Sequence, residues 1–290
     1  MFTSIVFSKD RALQLDLTLN SIKAHTLEPD INVIYTVSKE HVESYDMLMS
    51  EHQDVTFIRQ SHSIFEDILN AVTSASDYVC FFTDDNIMYQ KLSITEEDIR
   101  LSNEHEIACI SLRLGKNTTM RDYGDGILRQ DSLPNQASVL GNMIVWNRTT
   151  LPVGGYWSYP LSVDGHIFKA SDMTKFVEEL CVLNKHYDNY GVTPRAKYAW
   201  NQTPNEFEAK LQMYFFALSP LMACPEHSCV VNSPNNRVQD QIKNRNGDKY
   251  NYVPLDLRDE FQDGKRLSLR NINFEGIVCP HQELDILQGI

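Results

Sequence analysis

Asp84 and Asp85 stand side by side, with Asn86 behind them, at the end of the apolar run Tyr78-Val79-Cys80-Phe81-Phe82. Adjacent carboxylates repel each other unless one is protonated, hydrogen-bonded or neutralised by a cation. A divalent cation with oxygen ligands, magnesium or manganese, is the natural neutraliser. A plain Asp-Asp-Asn turn uses the same residues, because turn chemistry favours them too. Other residue types suited to chemistry follow. Ser8-Lys9-Asp10-Arg11 makes a polar turn after the first apolar run and can face a ligand. Glu206 and Glu208 lie just past Thr203-Pro204, where Thr203 and Glu206 have the spacing of a capping box; that gives Glu206 a structural task and leaves Glu208 for solvent or a cleft. His227 sits in Cys-Pro-Glu-His-Ser-Cys, a setting in which histidine is usually a hydrogen-bonded structural residue.

The elements that must hold these groups are read from periodicity. The run before Asp84 is too short for a helix and too apolar for a half-exposed strand, so it predicts a strand covered on both faces. Residues 2–7, 31–37 and 55–58 predict three earlier strands. Between them, residues 12–22 carry both an alternating and a helical leucine pattern, and their propensity favours helix. Ser38 can cap a helix running to about His52, and Ser63 with Glu66 has the spacing of a capping box for another. Repeated strand-to-helix alternation predicts a mostly parallel sheet flanked by helices. In such sheets ligands bind outside the carboxyl ends of the strands, where Asp84 and Asp85 would lie. Further on, Thr95 and Asp98 can cap a short helix, residues 107–112 and 143–146 predict strands, and Asp164-Gly165 between two apolar stretches is a hairpin signal.

Composition narrows the classes. The formal net charge of -13 over 290 residues argues against a nucleic-acid partner, which needs clustered Lys and Arg. No apolar run reaches the length of a membrane span, and the first strand starts next to the initiator methionine, so a cytoplasmic location is expected. The six cysteines are scattered and form no disulfide framework; Cys224 and His227 are spaced as zinc ligands can be, but Cys279 and His281 are too close together for the usual finger patterns. No glycine precedes Gly115, which removes a dinucleotide-binding fingerprint and a P-loop from that stretch. A nucleotide held there must be held by side chains, other backbone groups and metal.

The first strand with its Ser-Lys-Asp-Arg turn, the strand-helix alternation and the Phe-Phe-Thr-Asp-Asp-Asn terminus resemble nucleotide-sugar-dependent glycosyltransferases of the A-type fold, family-2-like members above all. The resemblance implies a Rossmann-like nucleotide-diphospho-sugar transferase fold in which Asp84 lies nearer the ribose and Asp85 binds the metal. Asn86 stands where many members have another aspartate. It also implies that Asn147-Arg-Thr-Thr-Leu-Pro-Val-Gly-Gly-Tyr156 precedes the acceptor site, although a plain turn explains its glycines as well, and that Asp164 serves as general base, where the family usually has a Glu-Asp pair. A late histidine completes the metal site in many members, and His227 is at a compatible place.

The combined expectation is an A-type domain over residues 1–231, with an extension at 232–290 that packs back on it and begins with a polar arm or flap. The expected function is metal-dependent transfer of a sugar from a nucleotide diphosphate donor to a glycan or other hydroxyl acceptor. Ser8, Asp10, Arg11 and Asp84 would hold the nucleotide, Asp85, Asn86 and His227 the cation, and Asp164 or, second, Glu208 would take the acceptor's proton. Two rivals remain at this stage: a nucleotide- or glycan-binding protein without turnover, since fold alone does not exclude it, and a metal-dependent phosphoesterase built on Asp84 and Asp85.

Overall fold

The computed structural model describes residues 2–122, 127–159, 161–189, 203–216, 219–236, 238, 250 and 252–288. Gly124 and Gly126, and most of the polar arm expected beyond Asn236, lie outside the described residues. The chain opens with the expected alternation: β1 (Thr3–Lys9), α1 (Ala12–His25), β2 (Asp30–Thr36), α2 (Val42–Glu51), β3 (Thr56–Arg59), α3 (Ile64–Thr73) and β4 (Tyr78–Thr83). It continues through β5 (Asn86–Met88), α4 (Glu96–Glu104), β6 (Cys109–Ser111), β7 (Met120–Asp122), β8 (Leu128–Gln130), β9 (Ala137–Leu140) and β10 (Met143–Asn147). Then come β11 (His166–Lys169), α5 (Ala170–Asn189), α6 (Pro204–Phe216), β12 (Leu221–Pro225), β13 (Val230–Asn232) and α7 (Pro254–Gln262).

Nine strands form one sheet in the order β3-β2-β1-β4-β11-β6-β12-β10-β9. The pairings leave β11 and β10 reversed and the other seven strands pointing one way. The sheet is therefore mixed but mostly parallel, with helices on its faces. Successive side chains of a strand point to opposite faces, and the core divides accordingly. Val6, Cys80 and Phe82 pack on the side of α1, α2 and α7, while Ile5, Phe7, Val79 and Phe81 pack on the side of α3, α5 and α6. On the second side Phe81 meets Phe207 edge-on, ring centroids 5.2 Å apart, in an arrangement worth about 0.5–1.5 kcal/mol beyond area burial.

Residues 12–22 are helical, and α1 is buried nearly all round from Ala12 to Leu19. A helix enclosed on every side carries no single apolar stripe, which is why its leucines also read as an alternating strand. Its polar residues find partners inside: Asp16 Oδ1 lies 2.7 Å from His52 Nε2, and the Thr18 hydroxyl donates to the carbonyls of Asp84 and Asn86. Caps follow the sequence at α3, where Ser63 accepts from the Glu66 amide, and at α4, where Thr95 and Asp98 form a reciprocal box. At Ser38 the structure differs. A 3-10 turn over Lys39–His41 precedes α2, Ser38 makes no side-chain cap, and its amide instead donates to Asp10 Oδ1 at 2.7 Å.

Asp164-Gly165 also differs from the hairpin expectation. Residues 161–163 form no strand; β11 leaves the turn and inserts between β4 and β6, antiparallel to both. The boundary expected at 231/232 falls within β13, which pairs with β5, and Leu257, Phe261, Ile272 and Leu284 of the extension join the core on the α1 side. Among the described residues no helix is long and apolar enough to cross a membrane.

Candidate active site

Parallel strands β1 and β4 both end at the same edge of the sheet. Because β11 runs against them, the turn that precedes it, with Asp164, lies at that edge too. Arg113 just past β6 and Asn232 at the end of β13 complete the ring, Asn232 being placed by the register that sets it opposite Asn86. Three carboxylates, two guanidiniums and one imidazole meet here.

One half is built on Arg11. Its Nη1 donates to Asp84 Oδ1 at 2.8 Å and to Asp85 Oδ2 at 3.0 Å, and its Nη2 donates to the Asn236 carbonyl at 2.7 Å. Asp84 Oδ2 also accepts from the Ser8 hydroxyl and the Lys9 amide, each at 2.9 Å. Asp84 is thus fully engaged with protein and buried. Burial pushes its carboxyl above the ordinary range, Arg11 pulling it down and Asp85 adding to the upward push. Arg11 is equally buried, yet Asp84 and Asp85 outweigh the burial and hold its guanidinium protonated. This guanidinium supplies one positive charge to the two neighbouring carboxylates.

The other half is built on Asp164. Its Oδ2 accepts from Arg113 Nη1 at 3.1 Å and the Ser162 hydroxyl at 3.1 Å, and lies 3.2 Å from His281 Nε2. Its Oδ1 accepts from Thr83 Oγ1 at 3.0 Å, Asn86 Nδ2 at 3.2 Å and Asn232 Nδ2 at 3.4 Å. Burial alone would raise this carboxyl, but its contacts with His281 and Arg113 outweigh that and hold it far below the ordinary range. Thr83 Oγ1 and Asn232 Nδ2 also bond Asp85 Oδ1, both at 2.7 Å, so Asp85 and Asp164 face each other across shared partners. Close by, His166 is fully buried, and among the described residues neither ring nitrogen makes a well-formed hydrogen bond. Burial, with Arg113 adding to it, brings this imidazole down to about 3, which keeps it neutral at physiological pH.

Two glycines shape the turns. Gly155 has no room for a side chain, because a Cβ there would lie 2.4 Å from Asp131 Oδ1; Asp131 Oδ2 in turn takes the Tyr156 amide at 2.8 Å and fixes Tyr156. Gly165 has φ +69°, and a Cβ would sit 3.1 Å from Val230 Cγ1. Gly165→Ala is expected to cost about 1–2 kcal/mol for the left-handed backbone alone, visible as a lower denaturation midpoint. An unchanged midpoint would show that the turn has slack.

The other residues singled out from the sequence are placed as follows. Ser8 and Arg11 turn inward onto Asp84. Asp10 is half-buried at the rim, in the left-handed region at φ 54°, which aspartate tolerates better than most residues. Asn86 is spent on both ends, accepting from the Thr83 amide and donating to Asp164. His227 is exposed beyond the end of β13 remote from Asn232, and the histidine in contact with the cluster is His281. Glu208 on α6 lies beside Tyr159, whose phenol is pushed up by burial and then by that carboxylate. Arg113 and Asn232 carried no sequence signal beyond their residue type; Tyr156 closed the segment that the resemblance sets before the acceptor site, and His281 stood out only as half of a poorly spaced Cys-His pair. Each reaches the cluster by a contact distant in sequence.

Among the described residues no three His, Cys, Asp or Glu side chains gather as a metal centre. Asp85 also takes bonds from Arg11, Thr83 and Asn232, but it is less buried than Asp84 and is the carboxylate of the pair suited to a hard cation. A single carboxylate fits magnesium or manganese that keeps its waters and arrives on a phosphate substrate, and does not fit an all-protein cage. The Nε atoms of Arg11 and Arg113 find no partner among the described residues, so each guanidinium has a donor unspent.

No family model matches this sequence, and no curated protein does. Among solved structures, the chain is similar to residues 1–349 of TarS from S. aureus, at 12% identity and a TM-score of 0.46, over 80% of this chain and 60% of that one. It is similar to the same protein in complex with UDP, at 12% identity and a TM-score of 0.47, over 81% and 62%. It is also similar to WbbM, a bifunctional glycosyltransferase in its apo form, at 16% identity and a TM-score of 0.33, over 81% and 46%. The chain thus spans about 60% of the TarS chain it matches.

Proposed function

We propose that this chain is a glycosyltransferase that moves a sugar from a nucleoside diphosphate donor to a hydroxyl acceptor with the help of magnesium or manganese. The observation that carries the reading is the meeting of Asp85 and Asp164 around Thr83 and Asn232, flanked by two buried guanidiniums, at the carboxyl edge of the parallel strands. That edge is where open α/β sheets bind ligands.

In this reading Asp84 is the fixed member. Held by Ser8, Lys9 and Arg11, it sets the turn between β4 and β5 and leaves Asp85 to face the donor. Asp85 would hold the divalent cation, which would supply Lewis-acid stabilisation of charge on the departing diphosphate. His281 and Arg113 keep Asp164 anionic, and Arg11 bonds Asp85. Asp164 accepts the hydrogen bond of the acceptor hydroxyl and takes its proton as the new bond forms, the general-base role of an inverting transfer. Glu208 beside Tyr159 is the second candidate for that role. The donor nucleotide would lie over the rim formed by Asp10 and the turn after β1.

The test is incubation of the full chain with magnesium or manganese, a hydroxyl acceptor and a panel of UDP, GDP, CDP and dTDP sugars. Release of nucleoside diphosphate is expected from at least one donor. Asp85→Ala should lower that release roughly a hundredfold or more, as the loss of several kcal/mol of charge stabilisation requires. Nucleotide binding without release would favour a binding protein, and inorganic phosphate from simple phosphate esters would favour a phosphoesterase; either result sinks the proposal.

A further inference from the structure

We propose, on the footing of the transfer reading, that Arg11 controls entry of the divalent cation. In the free protein its guanidinium holds the Asp85 oxygen that the cation needs, and it gives that oxygen up only when a nucleoside diphosphate arrives with the cation.

Asp85 Oδ1 already takes the Thr83 hydroxyl and the Asn232 amide, both at 2.7 Å, whereas Oδ2 takes Arg11 Nη1 alone, at 3.0 Å. A carboxylate oxygen accepts about two hydrogen bonds, so Oδ2 is the one with room for a cation. A cation about 2.1 Å from Oδ2, the usual magnesium distance, lies within about 5 Å of Nη1 whatever its direction. Positive groups that close in a buried setting repel each other unless an anion joins them. The guanidinium cannot ease the repulsion by losing its proton. Nor is it placed to swing clear. Nη1 also donates to Asp84 Oδ1 at 2.8 Å and Nη2 to the Asn236 carbonyl at 2.7 Å, and the Asn236 side-chain amide pairs with that of Gln14 on α1 at 3.2 and 3.3 Å. Departure would strand the buried Asp84 carboxylate. Arg11 is therefore a fixed positive charge beside the place the cation must take.

A diphosphate reverses the balance, because its oxygens offer negative charge to the cation and to Arg11 together. Nη1 carries two hydrogens. One stays on Asp84, and the other, released from Asp85, donates to a phosphate oxygen in a charge-assisted hydrogen bond. Cation and diphosphate then raise each other's affinity by the same factor, as linkage requires.

The deciding experiment is manganese binding to the full chain, read from the paramagnetic resonance of the free ion, with and without UDP, GDP, CDP or dTDP. It compares the native chain, Arg11→Gln, which keeps a donor but no charge, and Arg11→Gln with Asp85→Ala added. The native chain should bind manganese weakly alone and roughly 5–150-fold more tightly with its nucleotide, the usual span of such coupling. Arg11→Gln should bind manganese alone roughly tenfold more tightly than the native chain, within the same span, and adding Asp85→Ala should abolish the gain. Manganese bound by Arg11→Gln no better than by the native chain overturns the role of Arg11 and leaves the transfer reading intact. So does a native chain that binds manganese as tightly without nucleotide as with it. A native chain that binds no nucleotide with manganese and releases none from any donor removes the transfer reading and the proposal with it. Should Arg11→Gln fail to fold, the arginine side-chain ¹⁵N–¹H signals of the native chain decide. Nη signals that move only when magnesium and nucleotide are both present support the proposal, and signals that move with magnesium alone, or that never move, overturn it.

Discussion

Arg11→Met is expected to destabilise the fold by about 3–5 kcal/mol at neutral pH, the usual effect of stripping one partner from a buried ion pair. Methionine approximates the arginine stem but abandons Asp84, which is buried, and Asp85 beside it, and it frees the Asn236 carbonyl that Nη2 now holds. The sign of the pH dependence follows from Asp84. Burial already raises its carboxyl with Arg11 in place. A carboxyl raised on folding adds stability below its unfolded value, about 3.9, and loses it as pH rises through the folded value. Without Arg11 the folded value climbs further, so the penalty should be largest at neutral pH and shrink towards acid. Adding Asp84→Asn should restore part of the loss at pH 7, since the double variant has one less unpaired charge. Urea titrations of the two single variants and the double variant at pH 7 and 5 measure this directly. Full additivity of the two substitutions would show that Arg11 and Asp84 do not act as a pair.

Asp164→Asn carries the largest expected effect on turnover, a fall of roughly 10²–10⁴-fold in kcat, with donor affinity retained. It also strands Arg113, one of the largest fully buried side chains, opposite a neutral amide. A stability loss of about 3 kcal/mol is expected for that reason. Here the pH sign is opposite to that of Asp84. The Asp164 carboxyl is held below its unfolded value, so its contribution is present above about pH 4 and is lost as pH falls through the folded value. The native protein should therefore lose stability in acid more steeply than Asp164→Asn, and their midpoints should converge as pH drops. Parallel curves would place the titration elsewhere. An Asp164→Asn variant that releases nucleoside diphosphate at the native rate would pass the base to another group, Glu208 first.

The parallel half of the sheet was legible because each unit is local. The strands of the first eighty residues are continuous apolar runs, and the helices between them are set by nearby caps such as Ser63 and by propensity. The second half was not legible in the same way. Ile167-Phe168 read as the apolar stretch after a hairpin turn, but nothing in that pair says that its neighbours are β4 and β6, some eighty and fifty positions back along the chain. Asp164-Gly165 shows the difference sharply: a left-handed turn is present at Gly165, as its sequence signal requires, but the strand that leaves it pairs with distant partners and not with its own chain neighbours. At the site, the switch from Phe82 to Asp84 and Asp85 marked the acidic edge. Arg11, part of a polar turn, was expected to hold the nucleotide, and its bond to both aspartates is a matter of tertiary distance. Of the late histidines, His227 and His281 stand in similar company with cysteine, and only the register of β13 and the return of the last segment separate their surroundings.

The bond from Arg11 to the Asn236 carbonyl and the contact of His281 with Asp164 join the start of the chain and its middle to residues translated late. A growing polypeptide can lay down β1 through β4 early, but Asp164 must wait for His281 to emerge from the ribosome. Closing such wide loops is slow compared with forming local helix–strand units. Maturation of the charged cluster should thus be a late kinetic phase, separable in refolding from the appearance of helical signal, and competence would arrive after shape.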